Sequence, residues 1–183
     1  MARPGLTGVL LVGGASRRFG SPKAFARFGG ETLAERAWRV LGAVCEQRLA
    51  VGKAADSLQL PFPVLDDGSD VRAPIAGVVA GLRAAATDVS LFLPVDCPQV
   101  TPELLVALAH QCRDAATTQV GPLPAAYRKT ALPVLERHLT AGELALRTAL
   151  RELDVAELVT DSAQVANVNT PAELEALARD VYR

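Results

Sequence analysis

The sequence lacks several features that would each identify a class of protein. Its 183 residues include three cysteines without a close pair, which indicates neither a disulfide framework nor a cysteine-based zinc site. The formal net charge is -1, so no general positive field attracts nucleic acid. Charged residues or glycines interrupt the apolar stretches before about 18 residues, the length that suggests a membrane-spanning helix. We therefore expect neither nucleic acid nor a membrane as a partner.

Histidine is also scarce, and no secretory leader is recognisable. The two histidines, His110 and His138, lie on predicted helices without a partner at metal-ligand spacing, so we predict surface or packing roles for both. No Ser/His/Asp or Cys/His arrangement can be identified. The N-terminus lacks the charged, apolar and small-residue succession of a secretory signal, which predicts a cytoplasmic location. The length predicts a single domain over residues 1–183.

What the sequence does contain is a regular alternation of strand-like and helix-like segments. The first segment, 8–12 (GVLLV), is short, apolar and followed by two glycines, as in a strand buried on both faces. Further strands are predicted over 48–51, 63–65, 89–95, 155–160 and, more weakly, within 117–129; helices are predicted over 32–44, 75–86, 101–113, 131–140, 143–153 and from 170 onwards. This alternation predicts an α/β fold with a mostly parallel sheet that helices cover on both faces.

The glycine-rich stretch 13–23 follows the first predicted strand, where an open α/β sheet binds its ligands. Gly13 and Gly14 can expose backbone N–H groups, and Arg18 and Lys23 supply positive charge, which is the chemistry that a triphosphate requires. The stretch fits neither the Walker pattern nor the dinucleotide fingerprint, which also needs an acid at the end of the second strand. A tight turn with surface arginines is the alternative interpretation.

Polar residues follow other predicted strands or precede the last helix. Asp96 follows the strand 89–95, where a carboxylate can hold Mg²⁺ against substrate phosphates; a turn or helix-capping aspartate, the more common role of this residue type, is the alternative interpretation. Asp66 and Asp67 carry the same ambiguity. Asn167 and Asn169 precede the last helix and either present amide groups to a ligand or belong to a turn.

Four ordered motifs, taken together, resemble the molybdenum cofactor guanylyltransferase family, and the match spans nearly the whole chain. They are Leu11-Val12-Gly13-Gly14-x-Ser16-x-Arg18-Phe19-Gly20-x-x-Lys23, Ala73-Pro74-Ile75-Ala76-Gly77, Pro94-Val95-Asp96-x-Pro98 and Asn167-Val168-Asn169-Thr170-Pro171. The resemblance implies a Rossmann-like nucleotidyltransferase fold, GTP and molybdopterin cofactor as substrates, Mg²⁺ as cofactor and pyrophosphate as second product. It leaves open whether a partner protein delivers the acceptor.

The resemblance also implies roles for individual residues. The guanine and ribose pocket would be lined by Leu11, Val12, Gly13 and Gly14. Triphosphate binding and catalysis would fall to Lys23 with help from Arg18, and Asp96 would hold Mg²⁺. The nucleotide-binding aspartate would be Asp67, with Asp66 as the other register, and Asn167 and Asn169 would face the acceptor.

Several positions depart from the family's pattern and keep rival functions open. Val12 replaces the usual Ala, Phe19 the usual Met and Pro22 an acid; Gly52 stands where a nucleotide-contacting Asn is often found, and the stretch 121–129 is shorter. The rivals are cytidylyl transfer to the same cofactor, nucleotidyl transfer to another small phosphate, and a catalytically silent GTP-binding protein. The paired glycines favour guanine, and a nicotinamide-dependent oxidoreductase is disfavoured by the missing acid.

Overall fold

The computed structural model describes residues 5–13, 19 and 22–181. Its strands and longer helices are, in chain order, β1 (Thr7–Leu11), β2 (Arg27–Phe28), β3 (Glu31–Thr32), α1 (Leu33–Gly42), β4 (Gln47–Gly52), β5 (Val64–Asp66), α2 (Pro74–Ala84), β6 (Val89–Pro94), α3 (Pro102–Gln111), β7 (Ala115–Thr118), β8 (Gly121–Arg128), α4 (Leu132–Ala141), α5 (Leu146–Leu150), β9 (Val155–Leu158) and α6 (Pro171–Val181). Short 3-10 turns occupy 23–25, 54–56, 129–131 and 162–165. None of the helices within these ranges has the length and apolarity needed to cross a membrane.

Within the described residues, seven strands form one sheet in the order β5-β4-β1-β6-β8-β7-β9. The pairs β5–β4, β4–β1, β1–β6 and β7–β9 are parallel, whereas β8 runs antiparallel to both β6 and β7. A short hairpin of β2 and β3 stands apart from this sheet. The prediction of a mostly parallel α/β sheet is confirmed, and the carboxyl ends of β5, β4, β1 and β6 lie along one edge.

Helices cover both faces of the sheet because the strand residues alternate between two cores. Leu10 and Leu91 point into one core with apolar residues of α1 and α3, and Val9 and Phe92 point into the other with residues of α2, α4 and α5. All five residues of β1 are buried, as a strand covered on both faces requires. The expectation drawn from GVLLV is therefore confirmed.

Three of the described helices, α1, α3 and α6, begin where a threonine side chain accepts a hydrogen bond from a free backbone N–H group. Thr32 and Glu35 form the predicted capping box, with the Glu35 N–H donating to Thr32 Oγ1 at 3.1 Å and the Thr32 N–H donating to Glu35 Oε2 at 2.8 Å. Thr101 caps α3. At α6 the Glu173 N–H donates to Thr170 Oγ1 at 3.2 Å.

The segment 117–129 differs most from its prediction. Instead of one weak strand it contributes to two, because the chain turns at Gln119 and Val120 and β8 then pairs on both sides. Pro122 and Pro124 weaken the strand pattern, but β8 pairs with β6 only from Ala125 onwards. Pairing with the neighbouring strands therefore stabilises β8, although its local sequence only weakly indicates a strand. Helix α5 is also shorter than predicted.

Candidate active site

A cavity of about 510 Å³ lies at the carboxyl ends of β1, β4, β5 and β6. Most of the sequence-predicted site residues that the structure describes line it: Leu11, Val12, Gly13, Lys23, Asp67, Asp96 and Asn167. Asn169 joins this group through Lys23. Gly14 and Arg18 lie outside the described residues. The structure thus gathers at one cavity residues that are more than 150 positions apart in the chain.

The floor of the cavity is the end of β1. The Leu11 carbonyl accepts from the Val95 N–H at 3.0 Å, and the Val12 N–H donates to the Val51 carbonyl at 3.0 Å, so the strand is held on both sides up to the point where Gly13 leaves it. Leu11 and Val12 are buried in opposite cores, whereas Gly13 is exposed. The backbone at Gly13 is therefore accessible to a ligand.

One side of the cavity carries a lysine whose ammonium group contacts one carboxylate oxygen and one amide oxygen. Lys23 Nζ lies 2.9 Å from Asp96 Oδ2 and donates to Asn169 Oδ1 at 3.1 Å. The Asp96 carbonyl accepts from the Val168 N–H at 2.9 Å, which ties the end of β6 to the segment before α6. Three segments far apart in the chain therefore converge on a single ammonium group. Such an arrangement offers a positive charge and a carboxylate to a phosphorylated ligand.

The opposite side carries a second, more buried ion pair that the sequence did not reveal. Lys53 Nζ lies 2.7 Å from Asp67 Oδ1, with the two side chains 10% and 7% exposed. Asp66 points elsewhere, because its Oδ1 accepts from the Ala54 N–H at 2.8 Å. Of the two neighbouring aspartates, Asp67 is thus the one at the cavity. The available signal for Lys53 was its place directly after a buried strand.

Two arginines at the rim were also missed. Arg72 pairs with Asp56 at 2.6 Å, and this hydrogen bond holds the pKa of Asp56 below its usual value. Arg147 is exposed on α5 and donates to the Val120 carbonyl at 2.9 Å, next to the β7–β8 turn. No sequence signal marked Arg147, because the turn it contacts was hidden within the weak strand pattern of 117–129.

Among the residues that the structure describes, no histidine lines the cavity, and the cysteine that does is not a reactive nucleophile. Cys97 lines it, but burial and the neighbouring Asp96 carboxylate raise the pKa of its thiol, which keeps the thiol protonated. His110 is exposed, and His138 is buried with Nε2 2.6 Å from Glu152 Oε1, so both have the surface or packing settings that were predicted. Over the described ranges, no group of three or more histidine, cysteine or acidic residues is placed to hold a metal ion.

Comparison with known proteins gives consistent matches over nearly the whole chain. Residues 8–158 match the MobA-like NTP transferase domain. The chain is 33% identical to a probable molybdenum cofactor guanylyltransferase from Chloroflexus aggregans, over 93% of this chain and 92% of that protein. It is 32% identical to the probable molybdenum cofactor guanylyltransferase of Rhodopirellula baltica, over 94% and 92% respectively. The crystal structure of molybdopterin-guanine dinucleotide biosynthesis protein A from Archaeoglobus fulgidus superimposes with a TM-score of 0.80 at 26% identity, covering 96% of this chain and 98% of that one.

Proposed function

The chain belongs to the MobA-like NTP transferase family, and from that premise we propose that it is a molybdenum cofactor guanylyltransferase. It transfers GMP from GTP to the terminal phosphate of molybdopterin cofactor and releases pyrophosphate. The full-length relatives with that name support the activity. The observation that carries the residue assignments is the Lys23–Asp96 pair at the cavity. An ammonium and a carboxylate held 2.9 Å apart suit a triphosphate with its metal ion.

The reaction joins two phosphates and needs no protein nucleophile. An oxygen of the acceptor's terminal phosphate attacks the α-phosphorus of GTP, a new P–O bond forms, and the bond from that phosphorus to the bridging oxygen of pyrophosphate breaks. The attacking oxygen is already anionic near neutral pH, so no general base is required. This agrees with a described cavity wall in which neither histidine participates. Catalysis then depends on positioning and on charge neutralisation.

Lys23 supplies positive charge beside the reacting phosphates. Its ammonium is held by Asp96 and Asn169, so its position is fixed before a ligand arrives, and it neutralises the charge that develops on the departing pyrophosphate. Arg18, outside the described residues, stays a predicted second cation at this place. Asn167 lines the same side of the cavity and, with Asn169, is assigned to the acceptor.

The donor set around Asp96 fits Mg²⁺. This ion is usually held by one or two carboxylates together with substrate phosphates, rather than by a cage of protein ligands. Asp96 provides one carboxylate at the cavity, with its side chain 20% exposed. Bound there, Mg²⁺ would supply positive charge to the triphosphate oxygens. Asp96 would hold it, and Lys23 keeps the carboxylate in place.

The nucleoside is assigned to the other side of the cavity. Leu11, Val12 and Gly13, together with Gly14, are assigned to the base and ribose, and Asp67 to a donor group of the nucleoside. We also assign the protein to the cytoplasm, because Cys45, Cys97 and Cys112 are free thiols, which persist in reducing compartments. Delivery of the acceptor by a partner protein stays a prediction.

The test is pyrophosphate release by the purified protein with Mg²⁺ and molybdenum cofactor, comparing GTP, CTP, ATP and UTP. We expect release with GTP only, and its loss in Asp96→Asn. Asp154→Asn is the matched control, because it removes an exposed carboxylate paired with Arg113 before β9. Release with CTP alone would show that the activity is cytidylyl transfer and not guanylyl transfer. Binding of GTP without release would identify a silent GTP-binding protein.

A further inference from the structure

Lys53 and Asp67 form a partly buried ion pair between neighbouring strand ends of the cavity. Lys53 follows β4, and Asp67 follows β5, which pairs with β4 in parallel. The Asp67 N–H donates to the Gly52 carbonyl at 2.9 Å, so the backbone already joins the two strand ends. The ion pair therefore adds a side-chain link to strand ends that a backbone hydrogen bond already joins.

The ammonium of Lys53 fixes both the carboxylate and the loop that carries it. It bonds Asp67 Oδ1 and the Ser69 carbonyl. The Ser69 N–H also donates to Asp67 Oδ1, at 3.0 Å. Both bonds to the carboxylate end on Oδ1, so Oδ2 is the oxygen with which Asp67 can accept hydrogen bonds from a ligand.

This pair lies at the nucleoside end of the cavity. In the sheet, β5 and β6 are separated by β4 and β1, a distance of about 14 Å at the usual spacing of adjacent strands. Because Lys23 and Asp96 take the triphosphate beside the end of β6, Asp67 at the end of β5 is placed to meet the base rather than the phosphates. Guanine offers two neighbouring donors, N1–H and the N2 amino group, whereas the corresponding edge of cytosine has acceptors beside its single amino group.

We propose that Lys53 is a positioning residue that sets base selectivity: it holds Asp67 so that Oδ2 accepts hydrogen bonds from the donor edge of guanine. This inference rests on the proposed function for the place of the triphosphate. It adds a residue, Lys53, that acts through Asp67 and does not itself touch the base. A lysine with only a structural role would affect stability without changing the preference among nucleotides.

The experiment measures affinity and stability separately. Calorimetric titration gives Kd for GTP, for ITP, which lacks the N2 amino group, and for 2′-deoxyGTP, and thermal melting gives Tm. The variants are Lys53→Met, Lys53→Arg, Asp67→Asn and the double variant Lys53→Met/Asp67→Asn. Arg83→Met is the control, since it breaks an exposed ion pair with Glu136 on helices behind the sheet.

We expect Lys53→Met to weaken GTP binding about tenfold or more and to reduce the preference for GTP over ITP. Lys53→Arg should restore much of both. The double variant should recover Tm, because no unpaired buried charge remains, yet still bind GTP weakly. Arg83→Met should bind GTP as the unaltered protein does.

Three results would overturn the inference. The first is an unchanged Kd for GTP in Lys53→Met, and the second is a double variant that regains Kd together with Tm. The third is a Lys53→Met variant that loses the preference for GTP over 2′-deoxyGTP but keeps the preference for GTP over ITP. That result would assign Asp67 to the ribose. Failure of pyrophosphate release by a protein that binds GTP refutes the proposed function instead, and failure to bind GTP refutes both.

Discussion

The side chain of Val12 occupies the space that a side chain at position 52 would need. A Cβ built on Gly52 would lie 2.9 Å from Val12 Cγ2 and 3.3 Å from Val64 Cγ1. Two departures from the family's pattern, Val12 for Ala and Gly52 for Asn, are therefore one structural adjustment. The branched side chain just after β1 and the missing one at the end of β4 compensate each other at the wall of the cavity.

Gly52→Ala should accordingly destabilise the fold in a way that depends on Val12. We expect a loss of about 1–3 kcal/mol in the free energy of unfolding, the usual cost of overpacking a core. The double variant Val12→Ala/Gly52→Ala should recover part of it, since the smaller side chain removes the clash. Urea denaturation of both single variants and the double variant gives the coupling energy. Strict additivity of the two changes would show that the residues do not share this space.

Lys23 is the second position where substitution has a specific expected result. Lys23→Met should lower kcat/KM for pyrophosphate release about 100-fold or more, because a preorganised charge at the phosphates is lost. Steady-state kinetics with GTP check this. Lys129→Met is the control, as Lys129 is exposed in the turn 129–131, where β8 ends. Equal kinetics of the two variants would contradict the assignment.

The fold was predictable because its signals are local. Each signal lies within a few residues of the element that it indicates: the run GVLLV indicates β1, the capping box of Thr32 and Glu35 indicates the start of α1, and Thr101 indicates the start of α3. The order of strands and the antiparallel insertion of β8 are not local, since they depend on which edges pair across the sheet.

The candidate site was predictable in part for the same reason. Lys23, Asp67 and Asp96 stand directly after or near strand ends, where composition marks a loop that faces ligands. Lys53 also follows a strand directly, but this position did not identify it, because a lysine after a strand is usually a solvated side chain and its role depends on the contact with Asp67. Arg147 lies on a short helix that joins the cavity only through the β7–β8 turn.

The cysteines should react slowly with thiol reagents in the folded protein. Burial raises the pKa of Cys45 to about 12 and that of Cys112 to about 11. Burial and the adjacent Asp96 carboxylate raise the pKa of Cys97 further. At pH 8 the reactive thiolate is about one part in ten thousand of Cys45 and one in a thousand of Cys112.

Ellman's reagent measures this directly. We expect little colour from the folded protein at about pH 8 and three equivalents in urea, in line with the sequence. Because a raised thiol pKa delays ionisation, the rate should rise steadily with pH towards 10. Immediate reaction of one equivalent of thiol in the folded protein would contradict the protonated state of these cysteines.

The contact between Glu152 and His138 should make stability depend on pH in the acid range. The hydrogen bond to His138 and the nearby Arg137 hold the pKa of Glu152 below its ordinary value of 4.5. A carboxyl whose pKa is lower in the folded state stabilises the fold above the unfolded pKa, and that contribution is lost as the pH falls through the folded pKa.

Glu152→Gln should therefore be less stable than the unaltered protein near neutral pH, and the difference should shrink below about pH 4.5. Urea denaturation across this range, with Glu157→Gln on β9 as an exposed control, measures the difference. A difference that stays constant with pH would mean that the charge of Glu152 contributes nothing, and that only its packing beside His138 matters.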